Sequence, residues 1–199
     1  MRTDSLMELY DKEGHRKYLT LAERKVFRNQ AQLSEREVRT FCLILLNTGC
    51  RISEALNLEV RHIDFSDGTV IIESLKKRKR GVFRHVPLSA DFLDELNLVH
   101  DLHRRSKSLK SSKQRIWNWS RSTAFRRVSE VMGRSGIHGQ QSSAKGLRHS
   151  FAIACLEHKV PLPIVQKWLG HSSLNTTAIY ANAMGQEEVY FAKFLWENE

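Results

Sequence analysis

One helix with a strongly apolar face restricts the fold of this 199-residue chain more than any other feature of its sequence. Its apolar positions recur with the 3.6-residue period of an α-helix, at Val38, Phe41, Cys42, Leu45 and Leu46. The pattern ends near Gly49, and residues 34–37 before it match a helix-starting capping box, as do residues 20–23. Because such a face must be buried, we expect this helix at the centre of the fold.

Further apolar patterns predict more helices and a small sheet. Short strands are expected at residues 60–65, 69–75 and 82–88. Helices are expected from Ser89 or Asp91 to 102, and at 122–132, 145–158, 164–169, 174–182 (capped by Ser173 or Asn175) and 186–196. The basic, serine-rich residues 104–113 predict a loop. The predicted fold class is therefore α+β, a mostly helical domain with a small antiparallel β-sheet or hairpin. Residues 1–18 are assigned to an N-terminal extension and residues 19–199 to the domain.

The charge balance narrows the class of partner. Lys and Arg total 32 against 22 Asp and Glu, a net charge of +10, which favours nucleic acid first and an anionic membrane surface second. The basic residues lie mostly in loops rather than on one amphipathic face, which disfavours the membrane. Cys42, Cys50 and Cys155 are widely spaced among apolar residues, without zinc-site spacing, and predict buried thiols. We expect a soluble, cytoplasmic protein without a membrane partner, since no apolar run has the length of a membrane span.

Several cationic residues and one tyrosine carry the candidate chemistry. Arg51 follows the central helix, five successive cations occupy residues 76–80 at the hairpin tip, and Lys145 and Arg148 begin a later helix. His171 follows a glycine, and Tyr180 comes nine residues after it. Each has an ordinary structural interpretation too: a surface arginine paired with a glutamate one turn on, a solvated loop, or a core tyrosine.

Taken together, these residue types suit the transfer of a phosphodiester. Arginines present forks of N–H donors to non-bridging phosphate oxygens, and a tyrosine hydroxyl can attack phosphorus to form a covalent ester. A lysine can protonate the leaving oxygen. With so many cations the reaction needs no metal or nucleotide cofactor, and no Asp/Glu cluster is placed to bind a metal.

Three motifs, in this order, resemble the catalytic domain of the tyrosine recombinase (phage integrase) family. They are Thr48-Gly49-Cys50-Arg51-Ile52-Ser53-Glu54-Ala55-Leu56, Leu147-Arg148-His149-Ser150-Phe151, and Leu169-Gly170-His171 with Tyr180 nine residues later. The resemblance covers residues 18–196. It implies that Arg51 and Arg148 clamp the phosphate, that His171 hydrogen-bonds it, and that Tyr180 is the nucleophile.

The resemblance also implies a hairpin lysine as general acid, which must lie among Lys76, Lys77 and Lys79. Counting from Gly68 favours Lys76, whereas counting back from Pro87 favours Lys79; we take Lys76, because the first strand sets its register. The remaining cations at the tip, namely Lys77, Arg78, Lys79 and Arg80, are expected to contact DNA phosphates.

One position departs from the family pattern. Lys145 stands where the family usually has a histidine, three residues before the second arginine. Its unperturbed pKa of about 10.4 makes it a poor base at neutral pH, so we expect an electrostatic stabiliser. The neighbouring His149 is interpreted as structural.

The implied function is that of a site-specific DNA recombinase or integrase working through a 3′-phosphotyrosine. Its partners would be double-stranded DNA, three more copies of itself in a homotetramer on two duplexes, and accessory DNA-bending proteins. Two alternatives stay open: a type IB topoisomerase-like activity, and a non-catalytic DNA-binding regulator with the same fold.

Two features of the chain bear on that assembly. The family usually has a separate N-terminal DNA-clamping domain, for which residues 1–18 are too short, so the chain is either a minimal recombinase or one domain of a larger protein. The apolar segment 186–196 either packs on its own domain or, as the resemblance implies, docks onto a neighbouring protomer.

Overall fold

The computed structural model describes residues 9–75 and 81–182. In chain order the helices are α1 (Leu21–Gln32), α2 (Arg36–Thr48), α3 (Ile52–Leu56), α4 (Ala90–His100), α5 (Leu102–Ser106), α6 (Leu109–Ser112), α7 (Arg121–Arg134), α8 (Ala144–Glu157), α9 (Leu162–Leu169) and α10 (Asn175–Ala178). Short 3₁₀ turns occupy Val60–His62 and Ile179–Asn182, and the strands are β1 (Ile63–Asp64), β2 (Thr69–Glu73) and β3 (Phe83–Pro87). The predicted α+β class is confirmed.

Helix α2 is the centre of the fold, as its apolar pattern predicts. Phe41, Cys42, Ile44 and Leu46 are fully buried, and α1, α4, α7 and α8 pack around the helix. The capping box at Thr20 is confirmed at the start of α1. The second predicted capping box is wrong, because α2 starts after Glu35 and has no side-chain cap. Burial of its apolar face therefore stabilises α2 without that cap.

The sheet is antiparallel in the order β1-β2-β3, with Val70 opposite Val86 and Ile72 opposite Arg84. The predicted strands are confirmed but shorter. The first strand loses its beginning because Val60–His62 forms a 3₁₀ turn, in which the N–H of Val60 donates to the carbonyl of Gln114. The predicted loop at 104–113 is wrong, since α5 and α6 form there and bury Leu102 and Ser112. Residues 76–80, the predicted hairpin tip, lie outside the described residues.

Helix α8 contributes residues to two apolar clusters. Leu147 belongs to the large cluster around α2, whereas Phe151 belongs to a second cluster that includes Tyr180. Leu9 and Tyr18, from the predicted N-terminal extension, are buried in the second cluster as well. The described part of that extension therefore belongs to the same apolar cluster as the candidate nucleophile.

The segment after α9 is less regular than its sequence predicts. The helix expected at 174–182 is one turn of α-helix followed by a 3₁₀ turn, and its N-cap is Leu174 without a side-chain cap. The predicted helix at 186–196 lies outside the described residues. None of the helices in the described part is long and apolar enough to span a bilayer. The cysteines are free thiols, with Cys42 and Cys50 buried and Cys155 half-buried, close to the prediction.

Candidate active site

Arg148 connects the three sequence motifs. It lies on the inner face of α8, buried, and donates from Nη1 to the carbonyl of Gly49 at 2.8 Å and from Nη2 to the carbonyl of Leu169 at 2.7 Å. Gly49 precedes Arg51 by two residues, and Leu169 precedes His171 by two. Both carbonyls belong to helix C-terminal turns, whose unpaired carbonyls and negative dipole end favour a cation. Arg148 thus fixes the two neighbouring motifs relative to its own.

Gly49 allows this close packing. Its φ of 60° is left-handed, and an added Cβ would meet the ring of Phe151 at 2.6 Å. Any other residue would therefore strain the backbone and push α8 away from the end of α2. Since Arg148 lies on α8, the size of Gly49 determines how closely the guanidinium of Arg148 approaches Arg51.

A buried carboxylate holds two further arginines. Glu54 accepts from Arg51 Nη1 at 2.8 Å and from Arg84 Nη2 at 2.6 Å, and it also accepts from the Arg51 backbone N–H. Burial opposes its ionisation, but attraction and hydrogen bonding from Arg84, together with Arg51, outweigh burial and lower the pKa of Glu54. The ordinary pairing of Arg51 with Glu54 is thus present, and it aims Arg51 at the same site. We call Arg51, Glu54, Arg84 and Arg148 the arginine cluster.

Arg84 anchors this cluster to the sheet and to α9. Its Nη1 donates to Ser74 Oγ at 3.0 Å, and its Nε donates to the carbonyl of Trp168 at 2.7 Å. The carbonyls of Trp168 and Leu169 at the end of α9 are therefore each bound by an arginine. Gly170 follows with φ 68°, and an added Cβ would meet Ser74 Oγ at 2.8 Å. The base of the hairpin is thereby held against the His171 motif.

The arginine cluster carries three cations and one carboxylate, an excess of two positive charges. Burial, and then the neighbouring Arg51, lower the pKa of Arg148 to about 10, which leaves it charged at neutral pH. The side chain of Arg51 is 26% exposed, so one edge of the cluster faces solvent. A partly open group of cations with fixed donors is suited to bind an anion such as a phosphodiester.

His171 and Tyr180 lie beside the arginines. The two rings are parallel, with centroids 6.3 Å apart and an interplanar angle of 11°. Nδ1 of His171 lies 2.9 Å from Thr177 Oγ1, whereas its Nε2 is buried and has no hydrogen-bond partner within the described ranges. The Tyr180 hydroxyl lies 3.0 Å from Nδ1 of His149. We call His149, His171 and Tyr180 the histidine–tyrosine group.

This group is uncharged at neutral pH. Burial, followed by repulsion from nearby cations, lowers the pKa of both His149 and His171 to about 3. Tyr180 is 2% exposed, and burial raises its pKa to about 12 even though Arg148 and Arg51 act in the opposite direction. The phenol is therefore protonated, and its hydrogen bond to His149 joins two neutral groups.

The other predicted site residues are placed less directly. Lys145 is exposed in the first turn of α8, one turn before Arg148, and its charge contributes to the lowered pKa of His149. The candidate acids Lys76, Lys77 and Lys79, with Arg78 and Arg80, lie outside the described residues. Nearby, Ser74 N–H bonds the carbonyl of Val82, so the described part of the hairpin closes beside Arg84.

Three contributors were not selected from the sequence: Glu54, Arg84 and His149. Arg84 could have been recognised from the sequence, because it lies two residues from Val86 and so shares the buried face of β3. A cation on that face needs a buried partner. His149 had no such signal, since its contact with Tyr180 spans 31 residues. Within the described ranges, Asp11, Glu13 and His15 form a cluster that could hold a cation, but it belongs to a separate pocket lined by residues 10, 11, 13–16 and 138–141.

The fold and this arrangement define a class of protein. A model of the phage integrase family matches residues 17–187, so the chain belongs to that family. The resemblance carried by the three motifs is thereby confirmed.

Individual relatives of the chain are named tyrosine recombinases, in agreement with this family. The chain is 33% identical over 150 residues to the tyrosine recombinase XerA of Pyrococcus furiosus, covering 71% of this chain and 49% of that protein. It is 29% identical over 178 residues to the tyrosine recombinase XerH of Campylobacter jejuni, covering 89% of this chain and 49% of that protein. The chain spans about half the length of these relatives.

Solved structures share the fold. A XerH recombinase bound to its palindromic difH substrate, in a post-cleavage complex, superposes with a TM-score of 0.76 at 24% identity, covering 91% of this chain and 53% of that one. The catalytic domain of bacteriophage HP1 integrase superposes with a TM-score of 0.60 at 22% identity, covering 83% of this chain and 86% of that one.

Proposed function

We propose that the chain breaks and rejoins DNA strands as a site-specific recombinase or integrase. The main support is that Arg148 bonds two carbonyls, one just before Arg51 and one just before His171. These bonds bring Arg51 and His171 together beside Tyr180. The Tyr180 oxygen attacks phosphorus and the bond to the 5′ oxygen breaks, giving a 3′-phosphotyrosine and a 5′-hydroxyl. The phenol loses its proton, and the leaving oxygen gains one. Because the ester keeps the energy of the broken bond, a 5′-hydroxyl from a partner duplex can reverse the reaction without ATP.

Arg51 and Arg148 bind the non-bridging oxygens in this scheme. A guanidinium carries five N–H donors, and the contacts of Arg148 with the two carbonyls use two of them. The others can point at the phosphate while the backbone contacts hold the plane of the guanidinium. Because the donors are fixed before substrate arrives, little reorganisation is needed as negative charge develops in the transition state.

Tyr180 must change its surroundings before it attacks. A phenol with a pKa near 12, 2% exposed and bonded to a neutral histidine, is a poor nucleophile. Movement toward the arginines would exchange an apolar environment for a cationic one and lower the pKa. In the arrangement described, the nucleophile is held in a protonated, buried state.

Lysines complete the proposal. Lys76 is the general acid for the 5′ oxygen, with Lys77 and Lys79 as the alternatives, and Lys145 is an electrostatic stabiliser at the start of α8. Ser74, two residues before Lys76, contacts Arg84, which supports a role for the following residues at this site. Lys77, Arg78, Lys79 and Arg80 contact DNA phosphates.

The proposed partner is double-stranded DNA, and the proposed assembly is a homotetramer on two duplexes, with accessory DNA-bending proteins. Support for DNA comes from the net charge of +10, from relatives named tyrosine recombinases, and from the similar fold of a XerH recombinase solved with its palindromic difH substrate. The predicted helix at 186–196 is the candidate contact between protomers.

The test is a covalent adduct on DNA. Nicked duplexes from a random-sequence pool are incubated with the full chain, denatured, and examined for protein-linked strands. We expect an adduct from the unaltered chain and none from Tyr180→Phe, whereas Tyr190→Phe, the matched control, retains it. An adduct that persists in Tyr180→Phe and vanishes in Tyr190→Phe would show that Tyr190, and not Tyr180, is the nucleophile.

Two further measurements separate the alternatives. Strand exchange between two marked duplexes requires a recombinase, whereas relaxation of a supercoiled plasmid without exchange would indicate a type IB topoisomerase. DNA binding without any adduct would indicate a non-catalytic regulator.

The choice of acid has its own test. A substrate with sulfur in place of the 5′ bridging oxygen has a leaving group that needs no proton. We expect Lys76→Ala to fail on the oxygen substrate and to recover on the sulfur substrate, because only the acid step is lost. Recovery in Lys77→Ala or Lys79→Ala instead would move the acid to that residue.

A further inference from the structure

We infer that Thr177 is a positioning residue for His171, and that its hydroxyl fixes the imidazole tautomer that carries its proton on Nε2. The inference rests on the proposed function, because it assigns Thr177 a role in the same site. Thr177 lies in α10 with none of its surface exposed, and its Oγ1 is 2.9 Å from Nδ1 of His171.

The direction of this hydrogen bond follows from the partners available. A threonine hydroxyl has one proton to donate, and in a helix it often gives that proton to the carbonyl one turn earlier. Across the described residues, the only hydrogen-bond partner of Thr177 Oγ1 is Nδ1 of His171. If Nδ1–H donated to the hydroxyl, the hydroxyl proton would be buried without an acceptor, which is unfavourable. The hydroxyl therefore donates, and Nδ1 accepts.

The tautomer follows from the charge state. Burial, and after it the electrostatic effect of Arg148, Arg51, His149 and Arg84, lowers the pKa of His171 and keeps the ring uncharged at neutral pH. A neutral imidazole has one N–H and one bare nitrogen, so an accepting Nδ1 places the proton on Nε2. That Nε2 is buried and has no partner in the ranges the structure describes.

An unpaired donor beside the arginine cluster suits an anionic oxygen. In the other tautomer, Nε2 would present a lone pair to the phosphate and repel it. Thr177 therefore makes His171 a hydrogen-bond donor to phosphate without giving the ring a positive charge.

The backbone of His171 is held separately from its ring. Its N–H donates to the carbonyl of Gln166 at 3.2 Å, and its carbonyl accepts from Gln166 Nε2 at 3.4 Å. These contacts place the residue but leave the side-chain torsions and the tautomer unspecified. The bond from Thr177 supplies that remaining constraint, in the way that groups bonded to the second nitrogen of a metal-binding histidine orient its ring.

The experiment compares Thr177→Val, which keeps the branched shape but loses the hydroxyl, with Thr177→Ser, which keeps the hydroxyl. The full chain is labelled with ¹⁵N-histidine, and long-range ¹H–¹⁵N spectra are recorded at pH 7 without DNA. The His171 signals are identified by their absence from His171→Gln. We expect a protonated Nε2 and a hydrogen-bonded, unprotonated Nδ1 in the unaltered chain and in Thr177→Ser. In Thr177→Val, Nδ1 should shift to the frequency of an unbonded or partly protonated nitrogen.

Cleavage of the nicked DNA pool gives the second readout. We expect Thr177→Val to lower the rate of adduct formation about tenfold, as for loss of a group that orients a ligating histidine. Thr177→Ser should stay within about twofold, and DNA binding should be nearly unchanged in both, because DNA affinity comes from many phosphate contacts, of which the proposed His171 contact is one.

Several outcomes would overturn the inference: a protonated Nδ1 in the unaltered chain, a Thr177→Val spectrum identical to it, or equal loss of cleavage in the Val and Ser variants. If Thr177→Val does not fold, Thr177→Ala replaces it, and the spectrum of the unaltered chain still decides the tautomer. If the unaltered chain forms no adduct at all, the proposed function fails, whereas the spectra still test the hydrogen bond.

Discussion

The arginine cluster and the histidine–tyrosine group lie side by side but differ in charge and in how completely their polar atoms are hydrogen-bonded. The arginines are charged, and most of their contacts end on carboxylate or carbonyl oxygens supplied by α3, α9 and the end of α2. The histidines and Tyr180 are neutral, and each histidine has a buried Nε2 without a partner among the described residues. One half of the site is assembled before substrate arrives, whereas the other half has polar atoms that a substrate or a movement must satisfy.

The difference has a physical origin. Buried cations are tolerated only when they are paired and hydrogen-bonded, so removing one member of the arginine cluster leaves a buried charge without its partner and reduces stability. Neutral imidazole and phenol groups are less costly to bury, and the protein can leave their hydrogen bonds unfilled at a smaller penalty. The comparison predicts that changes in the arginine cluster reduce stability as well as catalysis, whereas changes in the histidine–tyrosine group act mainly through protonation.

The largest expected effect follows removal of one side of the buried ion pair. Arg84→Met should reduce the free energy of unfolding by about 3–5 kcal/mol, because it leaves the Glu54 carboxylate buried with one partner fewer. Chemical denaturation at pH 7 measures the change. Arg84→Met combined with Glu54→Leu should recover most of it, since no unpaired carboxylate remains.

The control is Arg61→Ala, which removes an arginine that is itself 51% exposed and is paired with Glu59. Such a surface pair contributes about 0–1 kcal/mol, so little change is expected. An Arg84→Met variant as stable as Arg61→Ala would show that completeness of the arginine cluster is not required for folding.

The second prediction separates the two clamping arginines. Arg51→Ala and Arg148→Ala should each slow cleavage by about two to three decades, the effect of losing roughly 3–4 kcal/mol of transition-state stabilisation. Arg148→Ala should lower the melting temperature more than Arg51→Ala, because Arg148 is buried and bonds two carbonyls, whereas the side chain of Arg51 is 26% exposed. Adduct formation and thermal denaturation are measured together, with exposed Arg28→Ala as control. Equal loss of DNA binding and cleavage would show that both arginines bind DNA rather than stabilise the transition state.

The third prediction concerns pH and the histidine–tyrosine group. Folding holds the pKa of His149 near 3 instead of the usual 6.5, so between these values the unfolded chain binds more protons. Its contribution to stability is present above pH 6.5 and is lost as the pH falls toward 3. Between pH 6.5 and 5 this amounts to about 2 kcal/mol, at 1.36 kcal/mol per pKa unit.

Unfolding of His149→Leu at both pH values measures that contribution. The variant should show a shallower loss of stability on acidification, while His85→Gln, on the exposed face of β3, keeps the slope of the unaltered chain. An unchanged slope in His149→Leu would mean that His149 is not held neutral by the fold.

The smallest expected effect concerns the basic hairpin tip. Removing one phosphate contact by Lys77→Ala should reduce the slope of log binding constant against log salt by about one, since each neutralised phosphate releases counterions. Lys12→Ala, exposed in the N-terminal segment, is the control. A slope unchanged in Lys77→Ala would indicate a solvated loop that adds nothing to the arginine cluster's hold on phosphate.

Local patterns predicted the elements with the strongest periodicity. The central α2 and the hairpin follow directly from apolar spacing, and the α1 cap follows from Thr20 and Glu23. Prediction was poorer where long-range contacts outweigh local preference. Residues 104–113 form helices that bury Leu102 and Ser112, and Arg105 bonds the carbonyls of His100 and Arg115; a basic, serine-rich composition reveals none of these contacts.

By itself, the sequence determined the family, the fold class and the candidates Arg51, Arg148, His171 and Tyr180, because motif order and spacing are local properties of the chain. Only the tertiary structure decided how those residues are held. The bonds from Arg148 to Gly49 and Leu169, and from Arg84 to Glu54, span 99, 21 and 30 residues. The protonation of Tyr180 and His171 likewise depends on burial and on neighbours from other elements. Desolvation and charge proximity are set by packing, which no local stretch of sequence encodes.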